Sequence, residues 1–157
     1  MSDLVEIRWH ARAGQGAKTA AHLLAMGFMR SGSYAQAFPE YGPERRGAPL
    51  RAFTRAASAP IRRHDSVTEP DLVVVLEPTV MHEVDVADGL SEGGRLLVAD
   101  ERLDGKNVNL AMLGAAARAL GRPSLDDLEI AAVEVLGGKV RRERVRAALA
   151  EGYEWAS

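Results

Sequence analysis

The chain has no cysteine. That excludes disulfides, CxxC redox chemistry, thiolate zinc sites and any iron–sulfur cluster ligated by the chain's own thiolates. Aromatic residues make up only 5% of its 157 residues. No apolar run approaches the ~20 residues needed to cross a bilayer, and Met1–Arg12 lacks the apolar core of a signal peptide. A net charge of −2 removes the strongly basic balance of a general nucleic-acid binder. What is present is a 46% apolar share, enough for one real core at about 150 residues per domain. Residues 1–157 are therefore expected to form a single cytoplasmic domain.

Charge is unevenly distributed. Residues 30–63 carry seven arginines against Glu40 and Glu44, a local excess of +5, whereas residues 64–157 sum to −8. Such a block points to an anion or partner site, or to a solvated arginine-rich face.

The hydrophobic pattern predicts an α/β fold. Leu4–His10 alternates as a strand, Ala11–Gly16 reads as a turn, and Ala17–Met29 carries the apolar stripe of a helix. Ser31–Pro49 shows no period and reads as a long functional loop. Arg51–Arg55 alternates again. Asp71–Leu76 is the continuous apolar run of a buried strand, and Thr79 is placed to cap a short helix over Val80–Val86. A further strand is expected at Leu96–Ala99. Leu110–Leu120 should be a helix stopped by Gly121. Ser124 should cap another that runs to Leu136, and a last helix is expected over Arg141–Ala150.

Gly14-Gln15-Gly16 opens a helix after a strand, so its backbone N–H groups suit an anion, although a plain tight turn would serve as well. Ala17 stands where a P-loop needs glycine and Thr19 where a dinucleotide fingerprint does, which argues against autonomous nucleotide hydrolysis. The aromatics and arginines of Tyr34–Gly47 combine phosphate-matching forks with interface chemistry. His10, His22, His64 and His82 have no metal spacing and are expected at the surface or an interface. Asp71, Glu77 and Asp85 read as caps or ion-pair partners.

Gly14-Gln15-Gly16, Tyr34-Ala-Gln-Ala-Phe-Pro39 and Tyr41-Gly-Pro-Glu-Arg-Arg-Gly47, in this order and spacing, resemble the γ subunit of 2-oxoacid oxidoreductases of the pyruvate:ferredoxin type. Further matches run through Pro70–Leu76, Pro78-Thr79, Asp85-Val86, Gly89-Leu90, Asn109–Gly114 and Ser124-Leu125. The resemblance implies a three-layer α/β/α domain with a mostly parallel or mixed sheet. It implies a complex with α, β and ferredoxin-like δ subunits that converts a 2-oxoacid and coenzyme A into acyl-CoA and CO2. Electrons would pass to ferredoxin or NAD. Thiamine diphosphate with Mg and the [4Fe-4S] clusters would lie on those other subunits, with no cofactor held by this chain alone.

On this resemblance Gly14, Gln15 and Gly16 would form an anion-binding turn and, with Arg45 and Arg46, the cofactor-binding set, the two arginines meeting either a coenzyme A phosphate or an acidic partner surface. Tyr34, Phe38, Tyr41, Gly42, Glu44 and Gly47 would form the interface or coenzyme A mouth, and no residue would be catalytic. The alternatives are a stand-alone nucleotide- or CoA-binding module and a scaffolding subunit without ligand contact. Two departures stand out. The usual GxGGQG turn is here Ala11-Arg12-Ala13-Gly14-Gln15-Gly16, and Asp100–Val108 replaces a strand–helix unit, which marks a shortened member.

Overall fold

The computed structural model describes residues 3–40 and 47–157. A five-stranded mixed sheet has the order β2-β3-β1-β4-β5. Its strands are β1 Val5–Arg12, β2 Tyr34–Pro39, β3 Pro49–Ala57, β4 Leu72–Val75 and β5 Arg95–Val98. β1, β4 and β5 are parallel, and β3 and β2 extend the sheet antiparallel. The α-helices among the described residues are α1 Ala17–Arg30, α2 Val108–Leu120, α3 Leu125–Leu136 and α4 Arg142–Trp155.

One face of the sheet carries α1 and α2, and α3 and α4 pack against those two helices. Ile7, Trp9 and Ala11 of β1, Ala52 and Ala56 of β3, and Leu72 and Val74 of β4 form one cluster with the buried stripes of the helices. α1 approaches closely because Ala17, Ala20, Ala21 and Ala25 leave room on its inner face. The buried Thr54 hydroxyl donates to the Ala21 carbonyl of α1 at 2.9 Å and accepts from Trp9 Nε1 at 3.1 Å. Both polar groups are thereby satisfied inside the core.

The opposite face is covered differently. Val73 and Val75 pack against Val80, Val84, Val86 and Leu90 from the 3-10 turn Pro78–His82 and the segment after it. The expected α/β class and mixed sheet are present. The second outer layer is this short turn and loop rather than a row of helices.

Three local expectations change. Within Ser31–Pro49 the chain forms β2, because Tyr34, Gln36 and Phe38 alternate with Ala35 and Ala37, which face α1. Thr79 is not the cap of its turn: Glu77 is, accepting from Thr79 N at 3.0 Å. The turn closes as 3-10 at His82 and no helix continues to Val86. α4 runs on past Ala150 to Trp155, where Trp155 Nε1 donates to Asp100.

The remaining boundaries follow the sequence signals. Gly121 ends α2 in the left-handed conformation, and Ser124 caps α3 by accepting from Asp127 N at 3.1 Å. Between β5 and α2 lies a connection with one 3-10 turn, Gly105–Asn107, and no strand–helix unit. No helix among the described residues is long and apolar enough to cross a membrane.

Candidate functional site

The three parallel strands end at the same edge, where open α/β sheets place their ligands. Beyond these ends is a cleft of about 650 Å³. Gln15 enters it from the turn after β1, Glu77 and Pro78 from the end of β4, and Asp100 and Glu101 from the end of β5. Leu103 and Val108 supply apolar wall.

The glycine turn is built at its rim. Gly14 (φ 93°) and Gly16 (φ 85°) take the left-handed conformation, while no non-glycine residue among the described residues does, so Ala11 and Ala13 are accommodated at negative φ. Gln15 folds back to accept from Arg12 N at 2.6 Å and reaches Glu77 through Nε2 at 3.4 Å. α1 then begins at Gly16 with no side chain capping it and no acidic residue in its first turn. A helix start left in this state favours an anion. A Cβ at Gly14 would meet nothing within 4 Å, so the outer side of the turn is open.

The cleft itself is carboxylate-lined. The Thr79 N–H holds the Glu77 carboxyl below the usual range. Asp100 is held down to about 2, chiefly by the Arg102 guanidinium, with the Trp155 indole N–H adding to it. Both therefore remain ionised at neutral pH. Glu77 and Asp85 act as local caps, as expected, whereas Asp71 accepts from Glu6 N at 2.8 Å and from the Ser91 hydroxyl at 3.2 Å.

The structure brings Gly47 to the turn but not Tyr34 or Phe38. Gly47 accepts from Arg12 Nη1 at 2.9 Å, and Ala13 N donates to Ala48 O at 3.0 Å. Arg12 also reaches Thr79 and Glu83, so one guanidinium ties three segments of the rim together. Tyr34 and Phe38 lie on β2, at the sheet edge with β3 between them and β1. Tyr34 is half exposed, whereas Phe38 packs at a tilt against Phe53 (centroids 5.2 Å apart) beneath the Arg55 guanidinium. Tyr41, Gly42, Glu44, Arg45 and Arg46 lie outside the described residues.

β1 carries a buried polar pair that composition and motif do not mark. Arg8 is buried and donates to the carbonyls of Val86 (2.9 Å), Asp88 and Val67, pinning the loop cover to the sheet. Its Nε donates to His10 Nε2 at 3.0 Å. His10 is thus not a surface histidine. Burial, followed by the Arg8 and Arg51 charges, pushes it down to about 4. Nothing but strand parity, which places residues 8 and 10 on one face, could have paired them in advance.

The comparisons with known proteins decide the family. The family model described as pyruvate ferredoxin/flavodoxin oxidoreductase matches residues 6–107. The chain belongs to this family. It is 42% identical to the pyruvate/ketoisovalerate oxidoreductases common subunit gamma of Thermococcus kodakarensis, over 98% of this chain and 89% of that one. It is also 42% identical to the pyruvate synthase subunit PorC of Methanothermobacter marburgensis, over 92% and 94%. The crystal structure of pyruvate oxidoreductase subunit PORC from Thermotoga maritima superposes with a TM-score of 0.75 at 35% identity, covering 96% of each chain. Within the family, then, its relatives are γ- or PorC-type subunits.

Proposed function

We propose that this chain is the γ-type subunit of a 2-oxoacid:ferredoxin oxidoreductase, contributing to assembly and to the coenzyme A entrance. The observation that carries the reading is the match of nearly the whole chain to γ and PorC subunits at 42% identity. The complex would join a 2-oxoacid and coenzyme A into acyl-CoA and CO2. Thiamine diphosphate would supply the decarboxylation chemistry on the α and β subunits. Clusters on other subunits would carry the electrons, since a chain without cysteine has no thiolates to ligate one.

This chain's own part is binding and positioning. The uncapped start of α1 and the open side of Gly14 suit a phosphate of coenzyme A. Arg45 and Arg46 would add forked donors to phosphate oxygens. Glu77 and Asp100, ionised in the adjoining cleft, would repel a phosphate there and favour hydroxyl or amine donors.

The test uses the chain tagged in its own host. Co-purification of larger subunits with iron and thiamine diphosphate is expected. In the assembled complex, Arg45→Ala with Arg46→Ala should raise the KM for coenzyme A about tenfold or weaken assembly. A lone chain without iron or thiamine overturns the subunit reading. Unchanged KM and unchanged assembly remove the two arginines from the site.

A further inference from the structure

Most cations of the described chain are spent internally. Arg12, Arg30, Arg51, Arg55, Arg63, Arg102, Arg142 and Arg146 form ion pairs with carboxylates. Arg8 sits on backbone carbonyls and His10, and Arg118 and Arg122 lie over the rings of Tyr153 and Phe28. Among the described residues, the side chains of Arg62, Arg95, Lys106, Lys139, Arg141 and Arg144 show no such partner, and the last four lie together. These four line a single cavity of about 560 Å³, together with Asn107 and Val140.

The convergence has a structural origin. Lys106 and Asn107 come from the 3-10 turn before α2, Lys139 and Val140 from the connection between α3 and α4, and Arg141 and Arg144 from the start of α4. Helical spacing sorts the cations of α4 into two pairs. Arg142 and Arg146 both reach Glu129 of α3, at 2.6 and 3.4 Å, while Arg141 and Arg144 line the cavity. No carboxylate belongs to its lining. Asp104 and Glu151 share a smaller neighbouring cavity with Arg144, and each already accepts a backbone N–H, from Lys106 and Asp104 respectively.

Four like charges around one concavity repel one another unless an anion enters, and an ordinary surface intersperses the signs. α4 also begins here without a side-chain cap, which adds unpaired N–H groups and the positive end of the helix dipole. Arginine forks and lysine point charges are the donors that phosphate oxygens take. The volume lies within the ~300–1,000 Å³ of small-molecule sites.

We propose that this cavity binds a small phosphate-bearing anion of two or more negative charges. The site is distinct from the glycine turn and shares no lining residue with the carboxylate cleft. Gly105 and Val108 face that cleft, and Lys106 and Asn107 between them face this cavity.

The test is a titration of the ¹⁵N-labelled full chain with inorganic pyrophosphate at constant ionic strength, against a sodium chloride control. Saturable shifts at the Lys106, Asn107, Val140 and Arg141 amides, with a submillimolar Kd, are expected. Arg141→Ala with Arg144→Ala, both exposed, should weaken binding at least tenfold with an unchanged melting temperature. Non-saturating shifts, the same shifts with chloride, or equal binding by the variant overturn the proposal. Competition by ATP and coenzyme A distinguishes a nucleotide's phosphates from free pyrophosphate, and either result supports a phosphate site. Loss of a partner subunit in the variant with unchanged pyrophosphate binding would assign the patch to an acidic protein and end the ligand reading.

Discussion

Gly14 and Gly16 share a positive φ, but they are constrained for different reasons. A side chain at Gly14 would point into open space, so Gly14→Ala meets only backbone strain, about 1 kcal/mol. At Gly16 the added Cβ would lie 2.5 Å from Asn109 Nδ2 of α2, so strain and collision add. Gly16→Ala should therefore cost visibly more than Gly14→Ala in urea unfolding. Asn109→Ala should recover part of the difference, because it removes the obstacle and leaves the strain. Equal costs at the two glycines, with no coupling to Asn109, would show that the Asn109 side chain moves aside and does not constrain the turn. The motif's glycines were legible in the sequence. Their separate tasks were not, since Gly16 meets a residue 93 positions away that no local pattern links to it.

The elements themselves were read correctly wherever one face is plainly apolar. α1, α2 and α3 stand within two residues of their expected ends, and β4 lies inside the apolar run Asp71–Leu76. β2 was missed because its inward face is alanine, which carries little hydrophobic signal, and because its outward face is aromatic and polar. The α2–α4 contact was invisible for a related reason: it depends on residues that have almost no side chain. A Cβ at Gly114 would lie 2.0 Å from Leu149 O, and one at Gly152 would lie 1.5 Å from Ala111 O. In an exposed helix, replacing glycine by alanine stabilises by about 1 kcal/mol. Here the sign reverses, because two backbones must part to admit a methyl group. Gly152→Ala is expected to destabilise by about 3 kcal/mol. Gly138→Ala, with open space around it and an ordinary φ, serves as the near-neutral control. A Gly152→Ala protein as stable as the control would refute the close crossing.

For the molecule as a whole, block sums of charge do not tell which cations are free. In the arginine-rich block of residues 30–63, Arg51 is held by Glu40, and Arg55 is wholly buried on Glu6 and Gln36 with Asp65 3.6 Å away, while Arg62 is exposed and Arg45 and Arg46 lie outside the described residues. Of the described cations without a partner, Lys106, Lys139, Arg141 and Arg144 lie together at one cavity inside the segment with the acidic sum, while Arg62 and Arg95 are not among its lining residues. Sequence order cannot anticipate this, because pairing is decided across strands and between helices. The Arg8–His10 pair shows the same principle and couples the stability of the fold to pH. An arginine Nε only donates, so His10 Nε2 must be unprotonated to accept from it. Facing His10 are Arg8 on β1, Arg51 on β3, Glu40 after β2, and the apolar Val80 and Val84. Its folded value of about 4 lies below the ~6.5 of an unfolded histidine, so the unfolded chain binds the extra proton between these limits. The stabilisation is complete above about pH 6.5 and is lost as pH falls towards 4, by about 3 kcal/mol at most. Glu40 is also held below its ordinary value, by Arg51, but its loss comes at lower pH. His10→Gln keeps an acceptor for Arg8 and does not titrate. Urea unfolding at pH 7 and pH 4.5 should therefore show a smaller pH dependence in His10→Gln than in the wild type. Parallel losses in the two proteins would place the acid sensitivity elsewhere and release His10 from the clamp that holds the loop layer to the sheet.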